Sequence, residues 1–351
     1  MRTINRFHPG VYIKNSLEAM EMTSREFSTR TGISERTLSG IINGNGNITF
    51  DVAFKLSKFF DNSISYWINL QTQYDVFMNE SNEEAIYKKD LALVKDIKKY
   101  LLEYSYILEE DSDEVIVEKA RKLAGVNSLS LLDKFDPFVC FKEQYFQSQD
   151  DFFYKNFWLA LALNEARKKK ENAYNRKLLL SYIDEIRSLT VKGTRVFYPR
   201  LQEIFKECGI AFVLLPYLNK SNIYGATKWF SKDNVMLALS NRGEKAHLFW
   251  FTLFHEISHV LMEHRREMLI SAEDDEDETA NKIAEDFLIP RDKWNGFILS
   301  NDFSLDSIKS FSKKVGILPS IVLGRLHKEN KVPYGTYDKT LNVSYKIVSI
   351  K

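Results

Sequence analysis

The residues best suited to chemistry in this sequence lie together in the segment His255-Glu256-Ile257-Ser258-His259. Two histidines four residues apart in a helix present their imidazoles on one face, where both can bind the same cation. The glutamate between them can reach a water bound to that cation without displacing either histidine. Zinc lowers the pKa of such a water toward about 7, and the carboxylate accepts its proton as the water attacks a carbonyl. The spacing therefore predicts a zinc-dependent hydrolase with His255 and His259 as metal ligands and Glu256 as general base.

The sequence around this motif predicts a buried helix from about Lys245 to His264. Large apolar residues flank the motif on both sides, so most faces of the helix should contact other parts of the protein. Two histidines and a glutamate in such a helix need polar partners, because burying an unpaired polar group is costly. The alternative interpretation is a helix whose histidines are only polar surface, and the apolar surroundings weigh against it.

A catalytic zinc usually takes a third ligand from the protein. The remaining donors lie in the acidic run 273–278, which opens a second amphipathic helix from about Glu276 to Leu288. At about 3.6 residues per turn, Asp277 falls on the buried face of that helix, Glu276 lies close beside it, and Glu278 points away. An acidic run taken alone is more often solvated, so this alternative stays open.

The motif and the segment after it, FWFTLFHEISHVLMEH and ETANKIAEDFLIP, resemble the ImmA/IrrE family of metallopeptidases over about residues 195–330. The resemblance implies a zincin-like domain in which a small sheet packs on the HExxH helix. It implies Zn²⁺ bound by His255 and His259, with Glu256 as general base. It also implies that the substrate is another protein, such as a repressor or an antitoxin.

The third ligand is where this sequence departs from that family. The family has a glutamate at the position that aligns with Asp277. Because aspartate is one methylene shorter, either the second helix shifts, Glu276 substitutes, or metal binding is weakened. The resemblance thus implies Asp277 as the third ligand and leaves Glu276 as the alternative.

The elements that would position this site follow Gly193, where the hydrophobic period changes. The sequence predicts a small sheet and several helices, which together indicate an α+β fold. The expected strands are Ile210–Leu215, Ile223–Phe230 and Val235–Leu239, and a β-like tail is expected at Val343–Val348. Further helices are expected at Tyr198–Glu207 and near 305–315 and 319–329.

Residues 9–78 predict a separate, all-helical domain. Five short helices are expected: Val11–Met22, one capped by Thr23 or Ser24 and running to about Arg30, one capped by Ser34 and running to about Asn43, Thr49–Phe60 and Ser63–Phe77. The turn Thr31-Gly32-Ile33 between the second and third indicates a helix-turn-helix. The segment resembles the Cro/repressor-like domain of HigA-type antitoxins, through His8-Pro9-Gly10, Ile42-Asn43-Gly44 and the run Trp67–Gln71.

Such domains place the third helix in the major groove of double-stranded DNA. Five DNA-contacting residues are expected on the outer face and at the end of that helix: Ser34, Arg36, Thr37, Ser39 and Asn43. Two more, Ser24 and Arg25, are expected at the start of the second helix, where phosphate binds. The segment 1–78 carries eight Lys/Arg against seven Asp/Glu, which implies modest binding by one copy, and a homodimer would double the contacts. The alternative is a helical module for protein interaction or dimerisation.

The composition restricts where and how the chain works. It has 351 residues and a formal net charge of +1, so no global field indicates nucleic acid or membrane. There is no signal-peptide pattern and no apolar run long enough to span a bilayer. The two cysteines, Cys140 and Cys208, lack metal-type spacing and indicate buried, reduced thiols in a cytoplasmic protein.

The expected organisation is a helix-turn-helix DNA-binding domain at 1–78, a helical connector at 79–192, an ImmA/IrrE-like metallopeptidase domain at 193–330 and a β-like tail at 331–351. The expected function is a DNA-binding transcriptional regulator whose zinc peptidase domain cleaves a repressor or antitoxin. The alternative is a non-catalytic HigA-like antitoxin or repressor, in which the peptidase-like domain is a sensor or binds a partner such as a toxin.

Overall fold

The computed structural model describes residues 7–134, 152–169, 172–263, 268–272 and 277–346. The chain divides into two compact units, Met1–Lys89 and Asp90–Lys351. Among the described residues, no helix is long and apolar enough to cross a membrane. Cys208 is buried with a free thiol, as predicted, and Cys140 lies outside the described residues.

The N-terminal unit contains the predicted run of helices: α1 (Pro9–Ala19), α2 (Ser24–Thr31), α3 (Glu35–Ile42), α4 (Phe50–Phe59) and the first part of α5 (Ile64–Glu103). Side-chain oxygens of Thr23, Ser34 and Thr49 accept hydrogen bonds from the first turns of α2, α3 and α4, as the capping pattern predicts. Gly32 ends α2 with a φ of 69°, a left-handed conformation that glycine adopts without strain. The helix-turn-helix prediction for this unit is confirmed.

Helix α5 differs from its prediction, because it continues to Glu103 instead of ending at Phe77. The polar segment 79–90 directly follows the boundary predicted at residue 78. It contains neither glycine nor proline, and Glu84 and Lys88 form an ion pair of 2.8 Å one helical turn apart. Charged residues at this spacing support a solvated helix, so polarity alone did not mark a break.

The C-terminal unit begins with the second part of α5, from Asp90 to Glu103. It continues with α6 (Asp113–Ala124), α7 (Ser130–Lys134), α8 (Phe152–Lys168), α9 (Arg176–Leu189) and α10 (Thr194–Glu207). The fully buried carboxylate of Asp90 links α5 to α6 and to the start of α7. It accepts hydrogen bonds from Arg121 Nε at 2.7 Å and Ser128 Oγ at 3.0 Å. It also accepts from the backbone amides of Leu129 and Ser130, at 3.0 and 3.1 Å. The proposed separation of a connector at 79–192 from a domain at 193–330 remains a prediction.

A four-stranded sheet follows, and three of its strands are the predicted ones: β1 (Ile210–Leu215), β2 (Ile223–Trp229) and β3 (Val235–Ser240). The order is β1-β3-β2-β4, with β1 parallel to β3 and the other pairs antiparallel. The fourth strand, β4 (Met268–Ala272), was not predicted. Its apolar run is short, and pairing with β2 is what makes it a strand.

The helices after the sheet are α11 (Ala246–Met262), α12 (Glu278–Leu288), α13 (Arg291–Leu299), α14 (Leu305–Val315), α15 (Pro319–Lys328) and the short α16 (Asp338–Leu341). Helix α13 was not among the predicted helices. Pro290, which cannot continue α12, is its N-cap. The strand expected at Val343–Val348 is wrong within the described residues, where Ser344 forms one isolated bridge with Lys245. At the level of a mixed helical chain with a small sheet, the α+β prediction is confirmed, and the zincin-like assignment stays a prediction.

We expect Asp90→Ala to lower the free energy of unfolding by about 3 kcal/mol or more, because Arg121, with a side chain only 15% exposed, would lose its buried counter-charge. Urea denaturation measures the change. Glu84→Ala, which breaks the exposed pair with Lys88, is the control and should have little effect. Equal effects of the two substitutions would contradict this account of Asp90.

Candidate functional site

Helix α11 places the two histidines of the predicted motif side by side in the core. Their side chains are almost fully buried, with His255 3% and His259 2% exposed. The two Nε2 atoms lie 2.9 Å apart, and the rings meet edge to face. The four-residue spacing therefore brings both imidazoles to one point, as the sequence predicted.

The outer nitrogen of His255 is held by Asn281 of α12, whose Oδ1 lies 2.9 Å from His255 Nδ1. An amide oxygen accepts hydrogen bonds, so this contact places the proton of a neutral His255 on Nδ1. Its Nε2 then presents a lone pair toward His259. A fixed tautomer of this kind is how a second residue prepares a histidine for a cation.

Asp277, the predicted third ligand, lies just before α12 as its N-cap. Its Oδ1 accepts hydrogen bonds from the amides of Thr279 and Ala280, each at 3.0 Å. Its Oδ2 lies 3.8 Å from Nδ1 of His259, the nitrogen that faces away from His255. Asp277 therefore lies next to the ring of His259, with its Oδ1 engaged as the N-cap of α12.

The alternative third ligand, Glu276, lies outside the described residues. Within the ranges that the structure describes, no three His, Cys, Asp or Glu side chains surround one point where a metal could bind. Asp277 and Glu276 both remain predictions as ligands.

Glu256 is fully buried, and its carboxylate lies against strand β2. The hydroxyl of Thr227 donates to Oε2 at 2.6 Å. Opposite the carboxylate, a Cβ added to Gly225 would lie 2.7 Å from Oε1, so only glycine leaves the space. The sequence prediction did not single out these two residues, although a glycine within a strand indicates a close approach of this kind.

The chemistry of the histidine pair fits a divalent cation such as zinc. Both Nε2 atoms are buried, converge, and belong to a donor type that zinc prefers. Zinc–nitrogen distances of about 2.0–2.1 Å at a tetrahedral angle would put the two nitrogens about 3.3 Å apart. A cation would thus separate the rings by a few tenths of an ångström.

In the N-terminal unit, the seven predicted DNA-contacting residues are all exposed, on α2, on α3 and at their ends: Ser24, Arg25, Ser34, Arg36, Thr37, Ser39 and Asn43. Several of their polar groups are engaged within the unit. Ser34 Oγ accepts from the amide of Thr37 at 3.1 Å and lies 2.8 Å from its hydroxyl. Asn43 Nδ2 donates to Ser39 Oγ at 3.3 Å. Arg25 Nε lies 3.9 Å from an oxygen of Glu35.

Comparison with known proteins identifies this N-terminal segment. The Helix-turn-helix family model matches residues 13–67. The HTH-type transcriptional regulator YbaQ of Escherichia coli is 28% identical over 94 residues, which are 26% of this chain and 81% of that protein. Antitoxin HigA-1 of Vibrio cholerae is 36% identical over 77 residues, which are 21% of this chain and 72% of that protein.

Another relative is an HTH-type transcriptional regulator of Haemophilus influenzae, which is 33% identical over 79 residues. These residues are 22% of this chain and 72% of that protein. Among solved structures, the addiction module antidote protein of a HigA family from Coxiella burnetii is 29% identical. That match covers 24% of this chain and 94% of the other, with a TM-score of 0.23.

We expect Thr227→Val to lower the free energy of unfolding by about 1–3 kcal/mol, because the buried Glu256 carboxylate loses a hydrogen-bond donor. Thr227→Ser keeps the hydroxyl and should recover most of the loss. Thermal or urea unfolding of the full chain compares the three proteins. A Val variant as stable as the Ser variant would show that this hydrogen bond contributes little.

Proposed function

Because the chain belongs, through residues 13–67, to the family of HTH-type transcriptional regulators, we propose that it binds double-stranded operator DNA and regulates transcription. The exposed outer face of α3 supports this proposal. Helices at this position of a helix-turn-helix enter the major groove, and residues near their N-terminal end reach base edges.

Within that surface, we assign the central role to Arg36. The hydroxyls of Ser34 and Thr37 bond to each other at the start of α3, and Ser39 and Asn43 are paired at its end. Arg36 is exposed in the first turn of α3, and an arginine there is suited to bidentate contact with a guanine or to a phosphate. Since the domain carries few net positive charges, a homodimer on a two-fold operator would supply the phosphate contacts that one copy lacks.

We further propose that the C-terminal unit is a zinc-dependent peptidase of the ImmA/IrrE type, acting on a repressor or antitoxin protein. The observation that supports it is the pair of buried Nε2 atoms, 2.9 Å apart, on the helix that carries the buried carboxylate of Glu256. Structural packing alone does not require two imidazoles and a carboxylate in the centre of an apolar helix.

The residues of the chain would divide the work as follows. His255 and His259 would bind zinc through Nε2, and Asn281 would keep His255 in the correct tautomer. Zinc bound there would polarise the substrate carbonyl and lower the pKa of a water. Glu256, whose Oε2 accepts the Thr227 hydroxyl, would accept the proton of the water and pass it to the leaving amine.

The second candidate is a non-catalytic antitoxin or repressor of the HigA type that binds a toxin. The similarity to Antitoxin HigA-1 and the capping role of Asp277, which engages Oδ1 at α12, favour it. Repression in cells separates the two functions. The second candidate is the correct one if the wild-type chain cleaves no protein and His255→Ala leaves repression and toxin neutralisation intact.

We expect Arg36→Ala to weaken binding to the promoter of its own gene by roughly fivefold to 100-fold, the range for loss of one base contact. A gel mobility shift at moderate salt measures this. Lys88→Ala removes the same charge from an exposed position of α5 and is the control, expected to bind as tightly as the wild type. Equal loss in both variants would assign the effect to net charge.

We expect Glu256→Gln to lower proteolysis by at least about 100-fold, because general-base catalysis contributes on the order of 10²–10⁴. The readout is cleavage of repressor or antitoxin proteins encoded beside this chain, after co-expression. Glu203→Gln, at an exposed position of α10, is the control. Cleavage by the Glu256→Gln variant at the wild-type rate would rule out Glu256 as the base.

A further inference from the structure

A cavity of about 450 Å³ lies along the face of α11 that carries His255, and its lining extends to His247. These residues are eight positions apart, or about 12 Å along a helix. Asn281, which orients His255, also lines it. A cavity of this size is in the range of binding pockets, and here it opens beside the histidine pair.

The walls of the cavity are mainly apolar. Leu248 and Phe251 line it from α11, Leu288 and Ile289 from the end of α12, and Ile321 from α15. Such walls stabilise a large aliphatic or aromatic side chain through burial.

The end of the cavity away from His255 is polar. His327 is only 5% exposed, its Nδ1 lies 3.1 Å from the carbonyl of Val332, and its Nε2 lies 3.4 Å from Asp338 Oδ1. In the part of the chain that the structure describes, neither this Nε2 nor Nδ1 of His247 has a partner in hydrogen-bonding geometry, although the Asn342 side chain lies close to the His247 ring. Burial lowers the pKa of His247 to about 4, so its ring is neutral at pH 7. These groups can exchange hydrogen bonds with a neutral polar side chain.

Two of the three cationic residues that line the cavity are ion-paired, and the third is Lys245. Lys328 Nζ lies 2.9 Å from Glu285 Oε1, and Arg325 Nε lies 2.9 Å from Glu329 Oε1. A free anion would therefore meet two paired cations and, near His247, the Asp338 carboxylate as well as Lys245. The cavity is better suited to a mainly apolar ligand with a neutral polar group at one end.

We propose that this cavity receives an extended segment of the protein substrate, with a large apolar side chain next to the scissile bond and a neutral polar side chain at the His247–His327 end. This inference rests on the proposed peptidase function. At about 3.3 Å per extended residue, the 12 Å between the two ends accommodates three to four residues. The cavity would thus select for two side chains of the substrate, three to four residues apart, on one side of the scissile bond.

The test measures binding of two fluorescein-labelled heptapeptides to the full chain in EDTA, where no cleavage occurs. Both have a glycine–serine background with an asparagine three residues after a variable position, which is leucine in one and alanine in the other. We expect the leucine peptide to bind roughly tenfold more tightly in a fluorescence anisotropy titration.

Gly324→Leu fills the cavity, since a Cβ there would already lie 3.1 Å from the ring of His247. It should abolish the preference for leucine. Gly296→Leu is the matched control, because a Cβ at that helical glycine meets nothing within 4 Å, and it should keep the preference. If circular dichroism shows that Gly324→Leu is unfolded, Tyr334→Ala at the 77% exposed rim replaces it and should weaken the leucine peptide several-fold.

Equal affinities of the wild type for the two peptides would overturn the proposal, as would a leucine preference that survives in folded Gly324→Leu. Binding of the amphipathic dye anilinonaphthalene sulfonate without any preference between the peptides would also overturn it, in favour of a small-molecule pocket. A separate zinc titration keeps the two proposals apart. A chain that prefers the leucine peptide but binds no zinc fails as a peptidase, whereas zinc binding with equal peptide affinities overturns only the pocket.

Discussion

Burial of two imidazoles and one carboxylate within α11 is the constraint on which the C-terminal unit depends. Each polar group costs free energy in the core unless another element supplies a partner. Strand β2 supplies the Thr227 hydroxyl to Glu256, and α12 supplies the Asn281 amide to His255. The packing of α11 on the sheet and on α12 is therefore fixed by polar contacts as well as by apolar area, and Gly225 provides the space that the carboxylate needs.

The part of this arrangement that follows local rules could be predicted from the sequence. The spacing of His255 and His259 determines that they share a helix face, and the apolar residues around them indicate that this face is buried. The caps at Thr23, Ser34 and Thr49 and the strands β1, β2 and β3 follow equally local signals. Each depends on residues within one or two turns of the chain.

The parts that were missed depend on partners distant in sequence or on ambiguous signals. Strand β4 forms by pairing with β2, whose paired residues lie 40 to 49 positions earlier in the chain. Its apolar run is too short to predict a strand by itself. The N-cap role of Asp277 was not predicted, and its role as a metal ligand stays a prediction. An aspartate before a helix is also a good N-cap, and the structure shows that role. Polar residues at 79–90 were ambiguous between a linker and a solvated helix, and they form the helix.

The proposed peptidase function depends on a zinc site at the histidine pair of α11. Crystals of the full chain grown with one equivalent of zinc, measured on both sides of the zinc absorption edge, test it most directly. The account predicts an anomalous peak about 2 Å from Nε2 of both His255 and His259, with the two nitrogens farther apart than 2.9 Å and a carboxylate from the start of α12 as a further ligand. No peak at this position, with the two imidazoles still hydrogen-bonded to each other, would contradict it.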